Sequence, residues 1–262
     1  MSFVKKAEQV ALENIVFSDL KKQGKGGYLS FVNYKEDGKS TRLVLQTPKM
    51  FAPFGASTFQ KDGKPDQMPK YNVRLTLDTK DKKIKALKKV LSGLDQLCLK
   101  KAATSKDWLK QLSYKNKKKK GTEGIMEDLE DNKYTPLVKE STNEKYPDAM
   151  NTKVPIDWKN SQPGLQLYGK NKNKLDLSFD NIEQLLPKLS EIKGLIQISH
   201  VWFVSGKFGI TCKLLQAVVY AKETLSGLSL LDDSDDEEAE SDEEEEDEES
   251  EVEVESDSDD EE

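Results

Sequence analysis

Apolar and polar residues follow two rhythms along this chain. From Asn72 to Asp78 they alternate strictly, with Val73, Leu75 and Leu77 on one face and Arg74 and Thr76 on the other, which predicts a strand with one buried side. The period then lengthens. Ile84, Leu87, Leu91, Leu94 and Cys98 recur at intervals of three and four, the stripe of an amphipathic helix, and Lys82, Lys85 and Lys89 occupy its other side. A second, shorter helix is predicted from about Thr104 to Leu112.

The other strong signals are of the strand type. Tyr28–Tyr34 and Arg42–Gln46 flank Glu36-Asp37-Gly38-Lys39, and an Asp-Gly pair between two such runs predicts a hairpin. Gly194–Val204 and Lys207–Tyr220 are long, apolar and β-branched, joined by Ser205-Gly206. In the second of these, Ile210, Cys212 and Leu214 share a face before Leu215, Ala217 and Val219 take over, a phase slip that predicts a β-bulge near Leu214-Leu215. Weaker strand patterns occur around Tyr134–Lys139, Thr152–Asp157, Gln166–Tyr168 and Lys174–Leu177. Asp180 or Asn181 is placed to cap a short helix through Leu186, stopped by Pro187. Residues 113–133, with their lysine run, read as a long solvated basic loop.

About seven strands with inserted helices and no βαβ rhythm predict a mainly β, α+β fold, an OB-like β-barrel. The alternative is a two-lobed body divided within 113–133. Charge then divides the chain sharply. Residues 1–230 contain all 41 Lys and Arg and 25 of the 48 Asp and Glu, a net charge of +16, whereas residues 231–262 contain the other 23 acids and no base. The overall −7 describes neither part. The expected organisation is therefore a basic domain over 1–230 and an acidic tail over 231–262, disordered because it has almost no apolar surface to bury.

Several chemistries are excluded or unsupported. No apolar run is long enough to span a bilayer, and Met1–Lys6 lacks the features of a secretory signal, so no membrane partner is expected. Cys98 and Cys212 read as buried thiols of a reducing compartment. Gly38-Lys39-Ser40 resembles the end of a phosphate-binding loop, but Asn33 stands where that loop needs its first glycine. Gly24-Lys25-Gly26-Gly27 lacks the spacing too. His200, the single histidine, lies in an apolar strand pattern and reads as a core residue. No catalytic residue, metal site or cofactor is predicted, and the chain is not expected to be an enzyme.

A basic body attracts polyanions, and lysines that neutralise phosphates release counterions. Here aromatic residues are interleaved with the cations. Lys25 precedes Tyr28 and Phe31, Arg74 follows Tyr71, Lys106 and Lys110 flank Trp108, Tyr114 precedes Lys117, Lys118, Lys119 and Lys120, and Lys207 adjoins Phe208. Rings beside cations suit unpaired bases, whose faces stack while the backbone is neutralised. The candidate contacts are Lys25, Tyr28, Phe31, Arg74, Trp108, Tyr114, Lys117–Lys120, Lys207 and Phe208. The run Lys117–Lys120 reads equally as a nuclear import signal.

Two segments carry a resemblance. Lys207–Val218, entered through Gly206-Lys207-Phe208-Gly209, resembles the final strand of single-stranded-DNA-binding proteins of nucleocytoplasmic large DNA viruses, and Tyr71–Asp78 with its lysine-rich helix is also similar. The plan of a basic body with an acidic C-terminal tail also looks like that of several phage single-strand binders. The resemblance implies an OB-fold body that binds single-stranded DNA in replication, recombination or repair, in the nucleus or a cytoplasmic viral factory.

The expected partners are thus single-stranded nucleic acid, DNA favoured over RNA, and replication or recombination proteins reached through the tail. The tail is expected to compete for the cationic groove when nucleic acid is absent. Ser234, Ser241, Ser250, Ser256 and Ser258 each have an acid three residues later, the spacing an acidophilic kinase reads. The alternative function is a histone chaperone or other acidic-tail interaction factor. Oligomeric state is left open by the sequence.

Overall fold

The computed structural model describes residues 2–24, 26–58, 68–115 and 121–221. Met1–Lys222 cluster as one compact unit, and Glu223–Glu262 lie outside the described residues. The elements are, in chain order, β1 (Ser2–Lys6), β2 (Ile15–Phe17), β3 (Lys21–Gln23), β4 (Gly27–Glu36), β5 (Lys39–Gln46), β6 (Met50–Ala52), β7 (Ala56–Thr58) and β8 (Tyr71–Thr76). Three helices follow, α1 (Lys82–Thr104), α2 (Lys106–Gln111) and α3 (Thr122–Asn132). Then come β9 (Tyr134–Thr135), β10 (Val138–Lys139), β11 (Ala149–Lys153), β12 (Ile156–Asp157), β13 (Gln162–Pro163), β14 (Gln166–Tyr168), α4 (Ile182–Leu185), β15 (Ser190–Val204) and β16 (Lys207–Tyr220).

The architecture is mainly β with inserted helices, an OB-like α+β fold. A single mixed sheet runs β1-β5-β4-β15-β16-β11-β8-β7, with β12 and β13 forming a separate hairpin. The long strand β15 is its spine. Ser190–Ile192 pair with β6, Leu195–Ile198 with β5 and His200–Phe203 with β4, while its other edge runs antiparallel to β16. One strand thus sets the register of three others along a single edge.

Local chemistry explains the ends of these elements. Asp37 and Gly38 both have positive φ, 50° and 71°, the conformation a two-residue hairpin turn requires between β4 and β5. Asp81 caps α1, its carboxylate accepting from the backbone N–H of Lys83 at 2.6 Å and of Ile84 at 3.3 Å. Ser105 ends α1 and caps α2 by accepting from Trp108 N–H at 3.4 Å. Gly93 has its own reason to be in mid-helix, because a Cβ there would lie 2.4 Å from Leu12 Cδ1.

One core cluster joins the inner face of the sheet to α1, with Val32, Tyr34, Leu43, Leu45, Val73, Leu75, Ile196, Ile198 and Val201 from the sheet and Leu87, Leu91, Leu94 and Leu99 from the helix. Asp95 is buried in this layer and acts as a buckle. Its carboxylate accepts from the Tyr134 hydroxyl at 2.6 Å, from Leu137 N–H at 3.0 and 3.1 Å, and from Val138 N–H at 3.4 Å. These contacts fasten α1 to the β9–β10 segment. Burial raises the Asp95 carboxyl to about 6 despite them. Cys98 and Cys212 are buried thiols whose pKa values burial also raises.

Three expectations need correction. The basic loop of 113–133 contains α3, which buries Ile125 and Leu129 one helical turn apart. Lys174–Leu177 makes one isolated bridge, Lys174 to Tyr168, and no strand. Most consequentially, His200 is not a core residue, because β15 carries two register shifts, at Leu195/Ile196 and at Ile198/His200. The first is the partner of the predicted slip at Leu214-Leu215. The second leaves Ser199 as an extra residue and changes which side of the sheet His200 occupies. No helix among the described residues is long and apolar enough to cross a membrane.

Candidate nucleic-acid interface

Strand periodicity and register define what lies on the outer face of this sheet. On β4, Val32 and Tyr34 are buried and Phe31 and Asn33 are not, so the latter pair points outward. His200 pairs directly with Phe31 and Thr211, Gln197 pairs with Lys213, Lys213 with Lys153, and Asn151 with Arg74. Residues opposite one another across a ladder share a face. Phe31, His200, Lys213, Lys153 and Arg74 therefore lie along one surface that crosses β4, β15, β16, β11 and β8.

Phe31 is the best-defined aromatic on that surface. The Arg42 guanidinium lies 4.0 Å from its ring centroid and Lys21 Nζ 5.4 Å, both within cation–π range. The His200 imidazole meets the ring edge-on, at 6.5 Å and 84°. Arg42 is held in place by Asn33, to whose Oδ1 its Nη1 donates at 2.9 Å. At the far end the Arg74 guanidinium lies 5.9 Å from the ring of Phe54, which is 49% exposed.

The electrostatics of the surface are one-sided. Burial, then the charges of Lys213, Lys153 and Arg42, depress the His200 imidazole to about 4, so it is neutral at pH 7. Partial burial, then Lys70 and Lys213, lowers Lys153, and burial lowers Arg42. Among the described residues the ion pairs are Lys5–Glu36, Lys49–Glu191 and Lys88–Asp148. None of them involves Lys21, Arg42, Lys70, Arg74, Lys153 or Lys213. Cations that repel one another and have no carboxylate partner among the described residues are arranged for an anion from elsewhere. Among the described residues no three His, Cys, Asp or Glu side chains gather where they could share a metal ion.

The predicted contacts separate on this geometry. Phe31 and Arg74 are on the outer face, at β4 and β8, and Lys207 is exposed at the tip of the β15–β16 hairpin. Tyr28 is three residues from Phe31 on the same strand, which puts it on the opposite side, where it packs against the core. Trp108 and Phe208 are 2% and 0% exposed and offer no ring face to a base. Trp108 is edge-on to Phe17 at 5.5 Å and to Phe203 at 4.9 Å, and Phe208 stacks on Phe203 at 5.8 Å. Tyr114 is half-buried, and its hydroxyl donates to Asp128 Oδ2 at 2.7 Å, tying it to α3. Lys25, Lys117–Lys120 and the five tail serines lie outside the described residues.

Arg42, Lys21, Lys153, Lys213 and His200 are the residues that sequence reading missed. Arg42, Lys153 and Lys213 are polar positions in alternating strands and could have been found by asking which cations share a face with Phe31, whereas Lys21 is in a short strand exposed throughout. His200 could not. Without the bulge at Ser199, it would be in phase with the buried Ile196 and Ile198. Trp158 was missed as well. It is 70% exposed beside Lys159 in the loop between β12 and β13.

No family model and no curated protein matches this chain. Its structural neighbours are phage proteins. The single-stranded DNA-binding protein from bacteriophage Enc34 in complex with ssDNA is similar over 79% of this chain and 97% of that one, at 12% identity and a TM-score of 0.40. A second structure, described as the single-stranded DNA-binding protein from bacteriophage Enc34, is similar over 84% and 98%, at 13% identity and 0.37. Its C-terminal truncation is similar over 82% and 99%, at 12% identity and 0.41.

Proposed function

We propose that this protein binds single-stranded DNA without catalysis, through the outer face of the sheet. The observation that carries the reading is the Phe31 cluster, a half-buried ring with Arg42 and Lys21 over it and His200 at its edge, on a surface whose cations have no carboxylate partner among the described residues. Phosphates pair with these cations, and unpaired bases stack against the Arg42–Phe31 pair. Duplex DNA supplies the first interaction and not the second, so single strands bind more tightly.

The polyanion at 231–262 then competes with DNA for the same cations and, once displaced, is available to replication, recombination or repair proteins. The resemblance of Lys207–Val218 to the viral single-strand binders supports placing this activity in viral-type DNA metabolism. A histone chaperone is the competing reading, and its support is the tail's 23 acids. Fluorescence anisotropy of labelled oligonucleotides with the full-length protein tests both. Submicromolar binding at low salt that weakens steeply with added salt, and that Arg42→Ala and Lys213→Ala reduce, supports the DNA reading. Histone binding with no oligonucleotide binding replaces it with the chaperone.

A further inference from the structure

The outer face continues beyond the Phe31 cluster, and its chemistry changes there. Past the first bulge of β15, Leu195 pairs with Gln46 on β5 and with Gln216 on β16, and Gln216 pairs in turn with Gln166 on β14. This makes a row of three glutamines around one leucine, two residues along β15 from Gln197, whose partner Lys213 belongs to the cationic surface. In the next row Lys193 and Tyr168 both pair with Val218, and in the third Glu191 pairs with Tyr220. Of these, Gln46, Leu195, Gln216, Lys193, Tyr168, Val218 and Tyr220 line a cavity of about 270 Å³, just under the range that holds a drug-sized ligand, roughly 300–1,000 Å³.

Its floor is apolar, Leu195 and Val218, its tyrosines are Tyr168 and Tyr220, and its amides are Gln46 and Gln216. Gln216 Nε2 donates to Gln166 Oε1 at 2.6 Å, which fixes the amide and leaves its carbonyl oxygen and second N–H for a ligand. Lys172 and Lys193 complete the lining. An apolar floor with rings suits the face of a heterocycle, an amide offering a donor beside an acceptor suits its edge, and lysine suits a phosphate.

We propose that this notch is a base-reading subsite that takes one nucleobase of a strand held on the cationic surface. It rests on the single-strand reading above and adds to it a base preference that stacking on Phe31 alone would not give. The strand runs along β15 from His200 toward Lys193, with the base edge on Gln216 and Gln46 and the adjoining phosphate at Lys193.

The experiment compares homopolymeric deoxyoligonucleotides of adenine, thymine and cytosine, equal in length, on the full-length protein and on Gln216→Leu, Gln46→Leu and Lys193→Ala. Wild type is expected to prefer one homopolymer by about fivefold or more, the lower range for one amide–base pair. Each glutamine variant should erase most of that preference without changing the salt slope, and Lys193→Ala should lower the slope by about one while keeping the preference. Equal affinity of wild type for all three, or an unchanged preference in both glutamine variants, overturns the subsite. If Arg42→Ala still weakens binding in that case, the single-strand reading stands alone. No binding to any homopolymer removes both.

Discussion

The Arg42 guanidinium lies 4.0 Å from the centroid of the Phe31 ring, and Asn33, two residues along from Phe31 on the same face, holds it there through a 2.9 Å hydrogen bond. On the proposed function, this fixed pair receives a stacked base and its phosphate without rearranging. Phe31→Ala should therefore weaken oligonucleotide binding by about 5- to 150-fold, the range for losing one base–ring stack, with an unchanged salt slope. Arg42→Ala should lower that slope by about one. Titrations at several salt concentrations measure both, and a slope that changes in the Phe31 variant would contradict this division of labour.

On the proposed function, His200 should make binding pH-dependent. In the free protein its pKa is about 4, below the ordinary 6.5, because burial, Lys213, Lys153 and Arg42 oppose its charge. The unfolded chain takes up this proton first, so stability falls as pH drops from about 6.5 toward 4 and is unaffected by the group above that window. Phosphates on the neighbouring cations reverse the field and raise the pKa. Binding should then take up protons and tighten between pH 7 and 5, and His200→Gln should flatten that dependence in parallel anisotropy titrations.

Asp95 acts in the opposite direction. Its pKa of about 6 exceeds the ordinary 3.8, so the folded state holds the proton more firmly, and this group's contribution to stability declines as pH rises across that window. Asp95→Asn should remove the decline and keep an acceptor for the Leu137 N–H. Asp95→Ala leaves the Tyr134 hydroxyl and two backbone N–H groups without their acceptor and should cost on the order of 3 kcal/mol. Urea denaturation at pH 4.5 and 7 distinguishes the two.

Trp108 should matter to folding and not to DNA. Its indole fills the space between Phe17 and Phe203, so Trp108→Ala should cost about 3–5 kcal/mol. Trp108→Phe should keep oligonucleotide affinity while losing some stability, measured by thermal melting and anisotropy. A lost affinity in a folded Phe variant would put this ring in contact with the ligand.

Removing residues 232–262 changes the net charge from −7 to about +16. If the tail competes, the truncated protein should bind single strands more tightly, most of all at low salt, and the gap should close as screening shortens to about 10 Å at 0.1 M. Duplex binding should rise more, narrowing the preference for single strands. Phosphorylating the five tail serines should weaken binding by full-length protein. Equal affinities for full-length and truncated protein throughout a low-salt titration would free the tail of this role.

The fold was legible where local chemistry determined it. Asp37-Gly38 marked its hairpin, the three-and-four spacing from Ile84 to Cys98 marked α1, and the slip at Leu214-Leu215 marked a bulge. The helix α3 was hidden because a lysine run suggested solvent, although Ile125 and Leu129 are spaced to share a helix face. The site was less legible, since interleaving along the chain does not separate the two faces of a strand. Tyr28 and Phe31 look alike in sequence, and their odd separation sends one ring inward. Trp108 and Phe208 have lysine neighbours too, yet aromatic partners distant in sequence enclose them.

The extra residue at Ser199 also sets what kind of change this surface can tolerate. Substitutions at His200 or Trp202 alter one side chain and leave the rest of the strand in phase. A one-residue deletion at 199 keeps it in phase too, because Ile198–Cys212 and His200–Thr211 are already successive pairs and only the bulge is lost. A one-residue deletion at 201 does not. It forces Trp202 inward and Phe203 outward, or else shifts the ladder against both β4 and β16. The strand can lose its spare residue and no other, so a codon dropped two positions further along would turn the molecule's interior outward.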